Sequence, residues 1–232
     1  MARLNRLKND LGKLTNPKQA KILRGFFKTG PGQYGKGDIF LGLRAREIKD
    51  VVKKYFDLGR KDVESLLRSK IHEHRMAALR IMIYQYEQGA NAEIFKLYLK
   101  NARRINNWDL VDCSAPNIVG DYLLTRPREI LYQLAKSKNL WEKRIAILAT
   151  FAFIRNHDFT DTLRIAKLLI NDKHDLIHKA LGWMLREVGN RNQKIEENFL
   201  KQCYQRMPRT MLRYAIEKFP ENRRKKYLNG EI

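Results

Sequence analysis

The chain has 232 residues, 44% of them hydrophobic, and carries 47 Lys plus Arg against 25 Asp plus Glu, a formal charge of +22 with a sequence pI near 10.1. That length and apolar content suffice to bury a core, which excludes a disordered chain, and the charge seeks a polyanion, with nucleic acid ahead of an anionic membrane because the cations are spread along the chain. Cys113 and Cys203 stand alone, the start Met1-Ala2-Arg3-Leu4-Asn5-Arg6 has no apolar signal core, and no stretch approaches the ~20 apolar residues of a membrane span, so a soluble protein of a reducing cytoplasm is expected.

In chain order, helical periodicity runs through 4–14, 17–27, 45–57, 61–69, 72–87, 91–102, 107–115, 117–124, 128–137, 141–154, 159–170, 175–188, 194–206 and 209–219, with no convincing strand alternation between. Connections are short and punctuated by Gly, Asn, Asp, Pro or Lys, as between stacked antiparallel helices, and one all-α domain over 1–232 is the economical expectation. The chief interruption is Lys28–Asp38, where Gly30, Gly32 and Gly35 formally satisfy G-x-G-x-x-G. Neither a preceding strand nor a helix opening directly behind the glycines accompanies them, so the segment reads as a connection, or as amides and Lys36 touching a phosphate, and not as a dinucleotide site.

An internal beat places Ala77, Val111, Ala146, Ala180 and Ala215 at steps of 34, 35, 34 and 35 residues. Each step holds two helical segments, a unit that must stack on its neighbours to bury its apolar face, and the pattern predicts a curved α-solenoid. Two positions earlier the same register gives Arg75, Asp109, Arg144, His178 and Arg213, and this column is expected to form a stripe along a basic concave groove that follows a phosphate backbone. Lys143 and Lys179, next to column residues in sequence, and Arg186 join Arg75, Arg144, His178 and Arg213 as candidate DNA contacts.

The chemistry-bearing stretch is Asn106-Asn107-Trp108-Asp109-Leu110-Val111-Asp112. Asn107 can cap a helix that Pro116 limits to about two turns, and Trp108 and Asp112, four apart, share a face. Two readings fit: an indole and a carboxylate in a nucleic-acid groove, Asp112 stabilising a cation or directing a water, or a core tryptophan beside a capping acid. Arg144 lies on an otherwise apolar helix and needs Asp112 or a phosphate as partner. The pairs His72/His74 and His174/His178 lack the H-E-x-x-H arrangement and read as surface or capping residues, no histidine is placed to activate Cys113 or Ser114, and a Walker lysine is absent. By helical-wheel count Trp183 falls in a different sector from Trp108, Asp112 and Arg144, and pattern alone makes it core.

From about Ile22 to Lys226 the chain resembles the AlkD-like DNA alkylation repair glycosylases, a family of HEAT-like helical repeats. Tyr34–Arg46, Asn106–Pro116, Trp141–Leu148 and Asp172–Glu187, the last ending Gly-Trp-Met-Leu-Arg-Glu, carry the likeness in order and spacing. The resemblance implies a catalytic carboxylate at Asp112, lesion-site aromatics at Trp108 and Trp183, which moves Trp183 into the groove, and a DNA-backbone contact at Arg144. Near Phe26 and Phe27, where some members carry a tyrosine, this chain has no hydroxyl. The implied activity is cofactor-free hydrolysis of the N-glycosidic bond of cationic alkylated purines, such as 3-methyladenine and 7-methylguanine, by a monomer acting on double-stranded DNA in the cytoplasm at the nucleoid. The competing readings are a non-catalytic solenoid that binds branched or damaged nucleic acid and, third, a scaffold for an acidic protein partner.

Overall fold

The computed structural model describes residues 2–232, which fall into two compact units, the first ending at Ser114 and the second running Ala115–Ile232. Fourteen α-helices are present among the described residues: α1 (Ala2–Gly12), α2 (Pro17–Phe26), α3 (Ala45–Val52), α4 (Arg60–Leu67), α5 (His72–Glu87), α6 (Asn91–Lys100), α7 (Trp108–Ala115), α8 (Glu129–Ala135), α9 (Leu140–Arg155), α10 (Thr160–Leu169), α11 (Asp175–Gly189), α12 (Gln193–Cys203), α13 (Arg209–Ala215) and α14 (Glu221–Asn229). The fold class is the all-α one that the helical periodicity predicts. Among the described residues no helix is long and apolar enough to cross a membrane.

The five small register residues, Ala77, Val111, Ala146, Ala180 and Ala215, are all completely buried. They sit where helices meet, because a methyl or isopropyl group lets two helix backbones approach closely enough for their ridges to interlock. In the first unit α5 is the central helix, flanked by α3, α4 and α6; in the second, α9 and α11 form the centre, with α8, α10, α12 and α13 packed around them. Central position shows in the sequence of burial: every residue of α5 from His72 to Leu79, and every residue of α9 from Arg144 to Thr150, is buried.

Two glycines are required by this packing. Gly42, at φ +89°, lies where an added Cβ would meet the Asn16 carbonyl oxygen at 2.2 Å, and Gly182 on α11 lies where a Cβ would meet the Met211 carbonyl at 2.5 Å. Gly42 belongs to the 39–43 segment, whose amides at Leu41, Gly42 and Leu43 all donate to the buried carboxylate of Glu73, at 3.0, 2.8 and 3.3 Å. A single parallel bridge between Ile39 and Ile71, with Ile39 N donating to the Lys70 carbonyl at 2.9 Å and His72 N to the Ile39 carbonyl at 2.8 Å, ties the same segment to the start of α5. The glycine-rich 28–38 stretch is therefore a connection that delivers Asp38 to the head of α5.

Candidate functional site

The motif residues sit at the start of α7. The buried Asn107 accepts the Trp108 amide on its Oδ1 at 2.8 Å and orders the first turn. Pro116 closes the regular helix after Ala115 and opens a π-helical turn to Gly120, so the two-turn length read from the sequence holds. Trp108 and Asp112 are both partly exposed. The indole stacks on Phe27, with centroids 5.4 Å apart and planes at 27°, and meets the exposed ring of Phe26 edge-on at 5.7 Å. Phe27 is itself stacked on Phe40 at 5.1 Å, and the His72 imidazole lies 4.9 Å from Phe27 and 4.7 Å from Phe40. Trp108 thus borders a cavity of about 340 Å³ shared with Leu23, Phe27, His72, Met76 and Asp109, and is not a fully enclosed core residue.

Beneath the indole runs a chain of charged groups. His72 Nε2 bonds to Asp109 Oδ2 at 2.8 Å, while Nδ1 faces Asp38 at 3.8 Å, an ion-pair distance too long for a hydrogen bond. Burial disfavours the imidazolium, but the Asp109 bond and the two carboxylate charges outweigh it and raise the His72 pKa above its ordinary value. Asp38 accepts from Arg75 Nη2 at 2.7 Å, Arg75 Nη1 donates to the Ser69 carbonyl at 2.8 Å, and Asn107 Nδ2 reaches Asp38 at 3.5 Å. The two carboxylates of the motif therefore have different surroundings. Asp109 bonds to His72 and to its neighbour Leu110 N, both at 2.8 Å; Asp112 lies one turn further along α7 and is partly exposed.

Neither adjacent heteroatom is a nucleophile. Ser114 is buried, donating to the Leu110 carbonyl at 2.5 Å and accepting from Tyr98, and burial pushes the Cys113 thiol up to about 12. His74 is buried and pushed down to about 4 by burial and by Lys8 and Arg75, and His174 caps α11 by accepting the Leu176 amide at 3.1 Å. His72 and His74 belong to the interior of the first unit, where the sequence suggested surface or capping positions.

In the second unit Trp183, which helical pattern alone assigns to the core, is partly exposed. Its Nε1 donates to Glu187 at 3.2 Å, Glu187 accepts from Arg191 at 2.9 Å, and the indole leans on Phe151 with centroids 5.9 Å apart. The close α11–α13 approach at Gly182 sets the backbone just before it.

The polar column is a correction to the sequence reading. Arg75, 3% exposed, spends its guanidinium on Asp38 and the Ser69 carbonyl, and Arg144, 4% exposed, donates to the Leu176 carbonyl at 2.5 Å. Both are interior groups that join one repeat to the next, not members of a surface stripe, because they sit on helices buried all round. Asp109 is held by His72, and His178 Nε2 bonds to the Asp172 carbonyl at 2.5 Å; of the five only Arg213 is exposed. Lys143 pairs with Asp172, Lys179 with Asp175 at 2.7 Å and Arg186 with Glu217. Burial works against the Asp172 carboxylate, yet the bonds from Lys143 and the His174 amide hold it below the usual carboxylate range. The 171–174 loop thereby gathers Lys143 and His178 on Asp172, with Lys173 exposed beside them. Sequence reading missed Asp38 and Phe151, although Asp38–Arg75 and His72–Asp109 are both 37 residues apart, close to the repeat length.

The family model described as DNA alkylation repair enzyme matches residues 7–219. The chain belongs to the DNA alkylation repair enzyme family. No curated protein matches the sequence. Among solved structures, a chain titled as a predicted DNA alkylation repair enzyme from Enterococcus faecalis shares 16% identity at a TM-score of 0.74, over 89% of this chain and 97% of that one. At that identity the likeness shows the fold alone, which is all-α here. Within the alkylation repair family the match spans both units, from α1 through α13.

Proposed function

We propose that this protein is a monofunctional DNA glycosylase that hydrolyses the N-glycosidic bond of cationic alkylated purines, such as 3-methyladenine and 7-methylguanine, acting on double-stranded DNA as a monomer in the cytoplasm. The observation that carries the reading is the pairing on α7 of a partly exposed indole and a partly exposed carboxylate, Trp108 and Asp112, on a helix whose first turn is locked from below. Family membership supplies the DNA repair context.

The chemistry asks little of the protein. Alkylation already makes the base a cation, so the C1′–N bond breaks with its electron pair leaving on a neutral base and no proton need be delivered. Positive charge then develops on the deoxyribose, where the Asp112 carboxylate stabilises it and directs the attacking water, whose proton passes to the carboxylate or to solvent. Trp108 offers an indole face to the cationic base, an arrangement that favours cations through the ring quadrupole. Lys143, His178, Lys179 and Arg186 contact the backbone by exchanging their carboxylate or carbonyl partners for phosphate, and the exposed Arg213 adds a further contact.

The test is release of methylated base from alkylated duplex by the wild type and by Asp112→Asn. The variant should retain duplex affinity within about threefold and lose base release by on the order of 10²–10³-fold, the scale of removing one electrostatic stabiliser. Undiminished release by the variant sinks the role of Asp112, and no release by the wild type favours the non-catalytic DNA-binding reading.

A further inference from the structure

Around Trp183 the second unit holds a feature that the column of matched residues does not include. Phe151, on α9, is partly exposed, and the Arg155 guanidinium lies over its ring at 4.2 Å, with that of Arg191 at 5.8 Å from the same ring. The Phe151 centroid is also 5.9 Å from that of Trp183. One phenyl ring therefore supports an indole and two guanidinium groups.

The two arginines differ in charge balance. Arg191 is paired with Glu187, which also takes the Trp183 N–H, so it is compensated and helps fix the indole. Arg155 is exposed and makes no ion pair or side-chain hydrogen bond among the described residues, in contrast to Lys143, Lys179 and Arg186, each paired with its own acid. Stacking on an aromatic face immobilises a guanidinium without consuming any of its five N–H donors, which stay in the ring-parallel plane and open outward. Such a cation is already ordered, carries its full charge, and presents the bidentate edge that fits a phosphate diester.

We propose that Arg155, held on Phe151, is a DNA-phosphate contact beside Trp183, with Arg191 and Glu187 as positioning residues for the indole. The proposal rests on the DNA-glycosylase reading above and adds to it the residue that anchors the backbone next to the second indole. The polyanion is recognised through a single phosphate diester, not through a base.

The experiment measures affinity for an unmodified duplex of fixed sequence across a salt series, with wild type, Arg155→Gln, Phe151→Leu and, as a charge-matched control elsewhere in the unit, Lys201→Gln. Arg155→Gln should lower affinity on the order of tenfold at low salt and reduce the log–log salt slope by about 0.9, the share of one phosphate. Phe151→Leu keeps the charge but frees the guanidinium, so affinity should fall about threefold with the slope retained. Lys201→Gln should change the slope by much less than Arg155→Gln. An Arg155→Gln slope equal to that of the wild type, or to that of Lys201→Gln, overturns the proposal, and so does a Phe151→Leu affinity equal to the wild type. If the wild type itself shows no salt-dependent binding, the DNA reading as a whole fails, an outcome distinct from failure of Arg155 alone.

Discussion

Replacing Asp38 with Asn tests whether the charged chain beneath Trp108 holds the site in place. Asp38 is 9% exposed and Arg75 3%, so the variant leaves a buried guanidinium facing a neutral amide. Removing one partner of a buried pair costs about 3–5 kcal/mol, and two charges near 4 Å at an effective dielectric of 20 interact by about 4 kcal/mol, so the two routes agree. Arg75 keeps the Ser69 carbonyl and the longer-range pull of Asp109 and Glu73, which places the expected loss near the lower end, about 3 kcal/mol. Urea denaturation followed by circular dichroism measures it. The double variant Asp38→Asn/Arg75→Met should recover much of the loss, because it removes the stranded charge together with its partner. His72 also loses one of the two carboxylates that raise its pKa, so the first turn of α7 loosens and base release should fall more than duplex affinity. A loss below about 1 kcal/mol, or a double variant that is simply additive, refutes the view that Asp38 neutralises Arg75.

Two further outcomes follow from particular atoms. Glu196 is 1% exposed with one oxygen unpartnered, and burial, then the charge of Glu197, pushes its carboxyl up to about 9. The folded chain therefore binds more protons than the unfolded one between pH 4.5 and about 9, the stabilising contribution is full below 4.5, and it is lost as pH rises through that window at up to about 1.4 kcal/mol per pH unit. Glu196→Gln removes the dependence, so its melting temperature relative to the wild type should climb from pH 5 to pH 8; a constant difference contradicts the assignment. Gly42→Ala places a Cβ 2.2 Å from the Asn16 carbonyl at a φ of +89°, and thermal unfolding should show a loss of about 2 kcal/mol or more; a change under about 0.5 kcal/mol shows that the 39–43 segment yields.

The helices and their repeat were legible because both rest on local rules: 3.6-residue periodicity, proline at 116, and small residues wherever two helices touch. The register Ala77, Val111, Ala146, Ala180 and Ala215 needed no knowledge of partners, since tight contact alone demands a small side chain. The polar column two positions earlier misled for a physical reason. A stripe argument presumes that each helix has one wet face, and α5 from His72 to Leu79 and α9 from Arg144 to Thr150 have none. Polar side chains on such helices must be satisfied inside, and their partners lie a repeat away in sequence, as Arg75–Asp38 and His72–Asp109 do, so no local window displays them. Trp108 and Asp112 could be singled out because their four-residue spacing and the proline stop are local. Trp183 stands out only through the likeness of its Gly-Trp-Met-Leu-Arg-Glu stretch, because helical pattern makes it core and only the tertiary packing at Phe151 and Gly182 leaves its ring partly exposed.

The distribution of acids gives the excess of positive charge a structure. With 25 carboxylates for 47 cations, each acid has a choice of partners, and apart from Glu196 several of the less exposed ones are spent on order: Asp38 on Arg75, Asp109 on His72, Glu73 on the 39–43 amides, Asp172 on Lys143, Glu187 on Trp183 and Arg191. Cations already paired contribute less to polyanion binding than their number suggests. When phosphate replaces a carboxylate at Lys143 or Arg186, one charge-assisted contact is exchanged for another and the freed carboxylate recruits its own counterion, so little net counterion release follows. The salt dependence of DNA binding should then be set by the uncompensated groups, Arg155 and Arg213 among them, and fall well short of what 47 cations would give. Neutralising an acid that restrains a cation, as in Glu217→Gln beside Arg186, should steepen the slope, whereas if every exposed cation acted alike this variant would leave it unchanged.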